Sequence, residues 1–212
     1  MFPMIKYKDC DESLIRKLQT DLMSLKNSIL DYSPSDFNRG KLDRIRIRIF
    51  KFPRNESCNE FFIISGNKKY VCLNSSFLKR SYYAALQHLL HGISHRFSHF
   101  RDEIADEMFC EFVSYSLLDE ILEKRGKSFR KRIIKSILKE SPKDYNYYFK
   151  LAKKLDKMEE NILIKMNTRI KNRKISKKNE KKFFKKLLKK NINISEELVE
   201  DLPELERGFK VF

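Results

Sequence analysis

The chain is 212 residues long and carries a formal net charge of +17, from 46 Lys and Arg against 29 Asp and Glu. That length allows one domain with an appendage or two small domains, and a hydrophobic share of 41% is enough for a packed core. No apolar run approaches the roughly 20 residues of a membrane-spanning helix, and the opening stretch, MFPMIKYKDC, lacks the basic and then apolar succession of a signal peptide.

Cys10, Cys58, Cys72 and Cys110 stand far apart without a CxxC pair, which points to neither a zinc knuckle nor a disulfide framework. A reducing, cytoplasmic location is the corresponding expectation. The charge is placed unevenly. Residues 124–212 hold 28 Lys and Arg and 12 Asp and Glu, a net of +16, whereas residues 1–123 hold 18 and 17, a net of +1. A nearly neutral front region (1–123) joined to a strongly basic rear region (124–212) is the arrangement expected when one part of a protein attracts a polyanion.

In chain order, a capping stretch at Asp11 to Ser13 precedes Leu14, Leu18, Leu22, Leu25 and Ile29 at turn-like spacing, predicting an amphipathic helix. The turn-forming DYSPSDFNRG, Asp31 to Gly40, ends it. In RIRIRIF, Ile45, Ile47 and Ile49 alternate with Arg44, Arg46 and Arg48, predicting a strand with one apolar and one arginine face. That arginine face is either a phosphate grip or the solvated side of an edge strand kept from aggregating by its charge. Phe61 to Ser65 and Tyr70 to Leu73 flank Gly66-Asn67, the signature of a hairpin.

All four histidines, His88, His91, His95 and His99, lie within Ser81 to Leu118. Their intervals each come close to a whole turn, so one continuous helix would carry them as a single stripe. A second amphipathic segment follows, with Asp102, Glu103, Asp106, Glu107 and Glu111. If the chain reverses near Phe97 to Phe100, an antiparallel pair brings His95 toward Glu103, His91 toward Glu107 and His88 toward Glu111. Neutral imidazole and carboxylate are ligands suited to zinc. The competing reading is a hairpin whose polar stripes simply hydrogen-bond or ion-pair. The metal candidates are His91, His95 and Glu107, with His88, Asp102 and Glu103 as alternatives.

This order of helix, strand, hairpin, histidine helix and acidic helix, over roughly Leu42 to Glu120, resembles the core of the gluzincin metallopeptidases. That zincin-like family places an HExxH helix after a small sheet and draws a glutamate ligand from a later helix. Two frames of a degenerate HExxH are present. Gln87-His88-Leu89-Leu90-His91 keeps the second ligand but replaces the first histidine by glutamine and the glutamate by His88. His91-Gly92-Ile93-Ser94-His95 keeps both histidines and puts glycine at the base position. Asp102-Glu103-Ile104-Ala105-Asp106 resembles the family's ExxxD element, with aspartate for glutamate. Neither frame retains the glutamate that serves the family as general base, which typically contributes 10²- to 10⁴-fold to such a reaction. His88 is the one alternative for that role. The resemblance therefore implies a zincin-like scaffold without peptidase activity, with zinc as the cofactor it would hold.

Beyond Glu120 the composition turns basic. Gly126 breaks the acidic helix, KSFRKRIIKSILKE follows, and Ser141-Pro142 opens a helix with Tyr147, Tyr148, Leu151, Leu155 and Met158 that is expected to run on through Ile162, Met166 and Ile170. Between Lys165 and Lys190 the apolar Phe183, Phe184, Leu187 and Leu188 are flanked by lysines. A nucleic-acid arm, a helix on an anionic membrane and a helix docked on the core each fit this pattern. The absence of Trp and the short apolar stripe disfavour the membrane. The tail, SEELVEDLPELERGFKVF, is acidic and either folds back over the lysines or meets a protein partner.

The sequence thus predicts an α+β protein in which an antiparallel or mixed sheet of about three strands packs on helices, followed by an all-helical basic part. The expected function is that of an intracellular RNA- or ribosome-binding protein on a degraded metallopeptidase-like scaffold, such as a ribosome hibernation or dormancy factor. The residues expected to contact nucleic acid are Arg44, Arg46, Arg48, Arg169, Lys171, Arg173, Lys174, Lys177, Lys178, Lys181, Lys182, Lys185 and Lys186. The alternative is a zinc-dependent hydrolase using His91, His95 and an acidic residue of the next helix.

Overall fold

A computed structural model describes residues 2–34, 37–52, 60–65, 68–140, 143–158, 161–173 and 178–182. In order the chain forms β1 (Met4–Tyr7), α1 (Glu12–Ser24), α2 (Lys26–Tyr32), α3 (Arg39–Leu42), β2 (Arg46–Phe50), β3 (Glu60–Ser65), β4 (Lys68–Asn74), α4 (Ser75–Arg80), α5 (Tyr82–Ser94), α6 (Glu103–Glu123), α7 (Lys127–Glu140), α8 (Lys143–Met158) and α9 (Ile162–Arg173). The class is α+β, as the sequence predicts.

The sheet is mixed and has four strands in the order β1-β2-β4-β3. β1 runs parallel to β2, with Ile5 opposite Ile47, and β2 runs parallel to β4, with Ile47 opposite Val71. β3 and β4 are the expected antiparallel pair, with Ser65 opposite Lys68. The additional strand is β1, whose four residues carry no periodic signal of their own and are held by pairing with β2. Because β1 covers its flank, β2 is an interior strand and not an edge. Ile45, Ile47 and Ile49 are buried, as their alternation predicts. Arg46 and Arg48 are half-buried on the opposite face, where the Arg48 guanidinium lies 4.0 Å over the Tyr70 ring and Arg46 contacts the Met4 sulfur. Burial beside them pushes the Cys72 thiol up to about 11, against the opposing charge of Arg48.

The first helix is split in two at Leu25, which closes α1 and opens α2. The apolar stripe survives the break, since Leu18, Leu22, Leu25 and Ile29 are all fully buried. Asp11 caps α1 by accepting from the Ser13 N–H at 2.7 Å. Of the 21 residues of α6, fourteen are buried. A helix apolar on almost every side can be stable only at the centre of a fold, and α6 accordingly packs against α2, α5, α7 and α8. Gly126, at φ +93°, sits between α6 and α7, a conformation that a residue with a Cβ rarely adopts.

The basic helices are not a detached appendage. Tyr148, Phe149, Leu151 and Ala152 of α8, with Leu163, Met166 and Ile170 of α9, belong to the same buried cluster as α1, α5 and α6. The long helix expected to run from Tyr147 through Ile170 is two helices, with Asn161 at φ 59° between them. Asn167, fully buried on α9, accepts from the His99 N–H at 2.7 Å and donates to the Phe97 carbonyl at 3.1 Å. One side chain thus satisfies two backbone groups of the α5–α6 turn. Replacing it by leucine deprives both of their partner, so Asn167→Leu should lower stability by roughly 2–4 kcal/mol in urea unfolding. Asn167→Asp keeps the acceptor for His99 but sets a carboxylate oxygen against the Phe97 carbonyl in a buried site, so at neutral pH it should cost at least as much.

Candidate metal centre

α5 and α6 form the antiparallel pair that the histidine and carboxylate spacing predicts. α5 ends at Ser94, whose hydroxyl donates back to the Leu90 carbonyl at 2.8 Å. α6 begins after Asp102, whose side chain accepts from the Ala105 N–H at 3.2 Å. Asp102 is therefore engaged as a helix cap. The backbone N–H groups of Arg101 and Asp102 also donate to the buried carboxylate of Glu180, at 2.7 and 3.0 Å.

Of the expected pairings, His91 with Glu107 forms, whereas His95 meets Asp106 in place of Glu103, and Glu111 meets Gln87 and His91 in place of His88. His91 lies between two acids, with Nδ1 2.9 Å from Glu111 Oε1 and Nε2 3.2 Å from Glu107 Oε2, as ion-pair contacts. His95, the residue that caps α5, hydrogen-bonds Asp106 through Nδ1 at 2.9 Å. Its Nε2 lies 3.0 Å from His91 Nε2 and 3.6 Å from Glu107 Oε1. Gln87, one turn before His91, donates to Glu111 at 3.2 Å and to Ser114 at 3.0 Å.

The continuous stripe of four histidines does not form, because the helix ends before His95 and His99 falls in the following loop. His88 is on α5 but packs edge-on against Phe77 of α4, their ring centres 5.1 Å apart, and Gln87 takes the place opposite Glu111 expected for it. Glu103 is exposed, and Asp106 takes the partnership with His95 expected of it. His91, His95 and Glu107, the three foremost candidates, do converge: one ligand atom of each lies within 4.8 Å of the others. His95, Asp106 and Cys110 form an overlapping group by the same measure.

The electrostatics of the cluster favour a cation. A carboxylate can only accept, so Asp106 holds the proton of His95 on Nδ1 and leaves Nε2 as a lone pair. That lone pair faces His91 Nε2 and the Glu107 carboxylate. Three acceptors in a largely buried space need a positive charge between them, supplied either by a proton on His91 or by a metal ion. Burial pushes the Glu107 carboxyl upward, but the hydrogen bond from His91 and the charges of both histidines outweigh it and hold the group below its ordinary value. Three carboxylates surround two imidazoles here, so the cluster stays net negative even with one histidine protonated.

Two histidines and one glutamate supply three ligands and leave a fourth position for water, as in catalytic metal sites. The carboxylates on both Nδ1 atoms fix ring orientation and raise ligand basicity, the usual support of a metal-bound histidine. Spacing alone did not assign these bracing residues to their histidines, Asp106 to His95 and Glu111 to His91. Each is committed to its histidine, which leaves neither placed as a general base.

The expected nucleic-acid residues are scattered. Arg44, Arg169, Lys178 and Lys182 are exposed, whereas Arg46, Arg48, Lys171 and Lys181 are half-buried. Lys174, Lys177, Lys185 and Lys186 lie outside the described residues, as does the Arg173 side chain.

One equivalent of Co(II) should bind per chain with the visible spectrum of a low-coordinate nitrogen and oxygen site. His91→Ala and His95→Ala should each abolish that spectrum, and Glu111→Gln should weaken affinity by about 10- to 100-fold through loss of the brace. Affinity should fall as pH drops and protons compete for the two imidazoles. Set against family models, curated proteins and solved structures, the chain matches none of them.

Proposed function

We propose that this chain is an RNA-binding protein of the cytoplasm whose target is a structured RNA, with a ribosome or another ribonucleoprotein as the largest such surface available. The observation that carries this reading is the excess of exposed cations on the basic helices. Lys131, Arg132, Lys135 and Lys139 of α7, Lys150, Lys153 and Lys157 of α8, and Arg169 of α9 all face solvent. Among the described side chains after Lys124, the acids are Glu140 and Glu180, and Glu180 is buried against the start of α6. Scattered lysines and arginines of this kind suit contacts to phosphates that position a protein without reading sequence. A factor of this size and charge could hold ribosomal particles idle, in the manner of a hibernation or dormancy factor.

Zinc is the ion we assign to His91, His95 and Glu107, because two imidazoles, one carboxylate and an open position match its preferred ligand set. Such an ion supplies Lewis acidity and lowers the pKa of bound water to about 7. With Asp106 and Glu111 committed to bracing, neither is placed as a proton acceptor for bound water, and on this reading the cluster serves to hold the α5–α6 pair together. The second reading, a zinc-dependent hydrolase, is favoured by the brace on both histidines, which is the support a catalytic metal also needs.

Cosedimentation with ribosomal particles across a salt series separates the two. RNA binding should weaken steeply, the log-log slope growing by roughly 0.7–0.9 for each phosphate neutralised. Arg169→Glu with Lys178→Glu and Lys182→Glu should flatten that slope and release the protein at lower salt. A flat response in the unaltered chain, together with chelator-sensitive cleavage of casein that His91→Ala abolishes, would replace the RNA reading by the hydrolase.

A further inference from the structure

Outside the histidine cluster, a groove of about 610 Å³ lies between α6, α7 and α8. It arises from how α7 is hung. Gly126 turns the chain sharply after α6, and α7 then buries only Ile137 completely. Its neighbouring stripe, Ile134 and Leu138, stays half-buried and faces the groove. α8 packs closely on α6 instead, through the Tyr115 and Phe149 rings, whose centres are 4.1 Å apart. The result is a recess with an aliphatic wall on one side and an aromatic floor on the other. Its volume is in the range of about 300–1,000 Å³ usual for small-molecule sites.

The rim has a single sign. Lys127, Arg130, Lys131, Lys135 and Lys153 border the recess, and the one carboxylate among the lining residues is Asp119. Asp119 is already held by two hydrogen bonds from the Arg130 guanidinium. The four lysines therefore outnumber any acid left to balance them in the lining. Each half of this surface restricts the occupant. A polynucleotide would leave the apolar floor uncovered, and a neutral hydrocarbon would ignore the lysines.

We propose that the groove between α6, α7 and α8 binds a single-chain amphipathic anion, its hydrocarbon tail along Ile134, Leu138 and Phe149 and its anionic head against Lys131 and Lys135. A carboxylate or a phosphate monoester head satisfies the same geometry, so fatty acids and phosphate-headed single-chain lipids belong to one chemical class here. This site is separate from the histidine cluster, and Lys131, Lys135 and Lys153 on its rim also belong to the exposed basic surface of α7 and α8.

The test is competition against anilinonaphthalene sulfonate, a fluorescent anion, using the full-length chain and ligands below their micellar concentrations. Dodecanoate and dodecyl phosphate should displace one probe per chain, and the tighter of the two identifies the head group. Shortening the tail by two carbons should weaken binding roughly tenfold. Decanol should compete at least tenfold more weakly than decanoate. Lys131→Glu with Lys135→Glu, both on the exposed side of α7, should weaken dodecanoate at least tenfold and leave decanol unchanged. Ile134→Trp, which fills the recess, should weaken both. Equal competition by decanol and decanoate, indifference to the charge reversal, or no competition at all would overturn the proposal. It would equally be overturned if dodecanoate bound only after Leu198→Glu with Leu202→Glu, since the acidic C-terminal segment would then be the occupant.

Discussion

Everything in this molecule is arranged around the contact between α5 and α6. α6 is apolar on nearly every side, and its burial at the centre of the fold organises the surrounding helices. Yet the face it turns to α5 carries acids, and α5 answers with Gln87, His91 and His95. A polar seam inside an apolar interior is tolerable only when its members satisfy one another. Here imidazoles and carboxylates alternate, and the glutamine donates to both Glu111 and Ser114. The same requirement that makes the seam stable makes it a place where a cation is welcome.

The rest of the fold holds that seam in register. The turn between the helices is pinned from the far end of the chain by Asn167 and Glu180, which bind four of its polar backbone groups between them. On the other side, the sheet supplies the buried surface of Ile45, Ile47 and Ile49. Tyr82, at the start of α5, donates to Asp21 of α1 at 2.7 Å, while Lys17 lies 3.6 Å from the centre of its ring. Burial and the Asp21 carboxylate together push that phenol well above its ordinary value, so it stays a donor.

Strong local periodicity made part of this visible from residues alone. The alternation around Ile47 could only be a strand, and the spacing of Leu18, Leu22, Leu25 and Ile29 could only be one buried stripe, even though the helix bends at Leu25. The pairing of histidines with acids was also legible, because spacings of about one turn fix which side chains share a face. Their offset was not, because it depends on where α5 stops and how many residues the turn consumes. Ending the helix at Ser94 removed His99 from the stripe and set His91 between Glu107 and Glu111. Four residues of β1 gave no signal because their strand character comes from the neighbour they pair with. The fate of Arg46 and Arg48 followed from that omission, since an interior strand beside Tyr70 half-covers what an edge would leave to solvent.

Glu180 links two regions that the charge distribution sets apart. Its carboxylate sits where the partial positive charge of α6 and two amide protons converge, in the short described segment 178–182 that also bears Lys178 and Lys182. The cationic segment is thereby moored to the loop between His95 and Asp106. Those two hydrogen bonds make one carboxylate the shared anchor of the cationic segment and of the start of α6, next to the histidine seam.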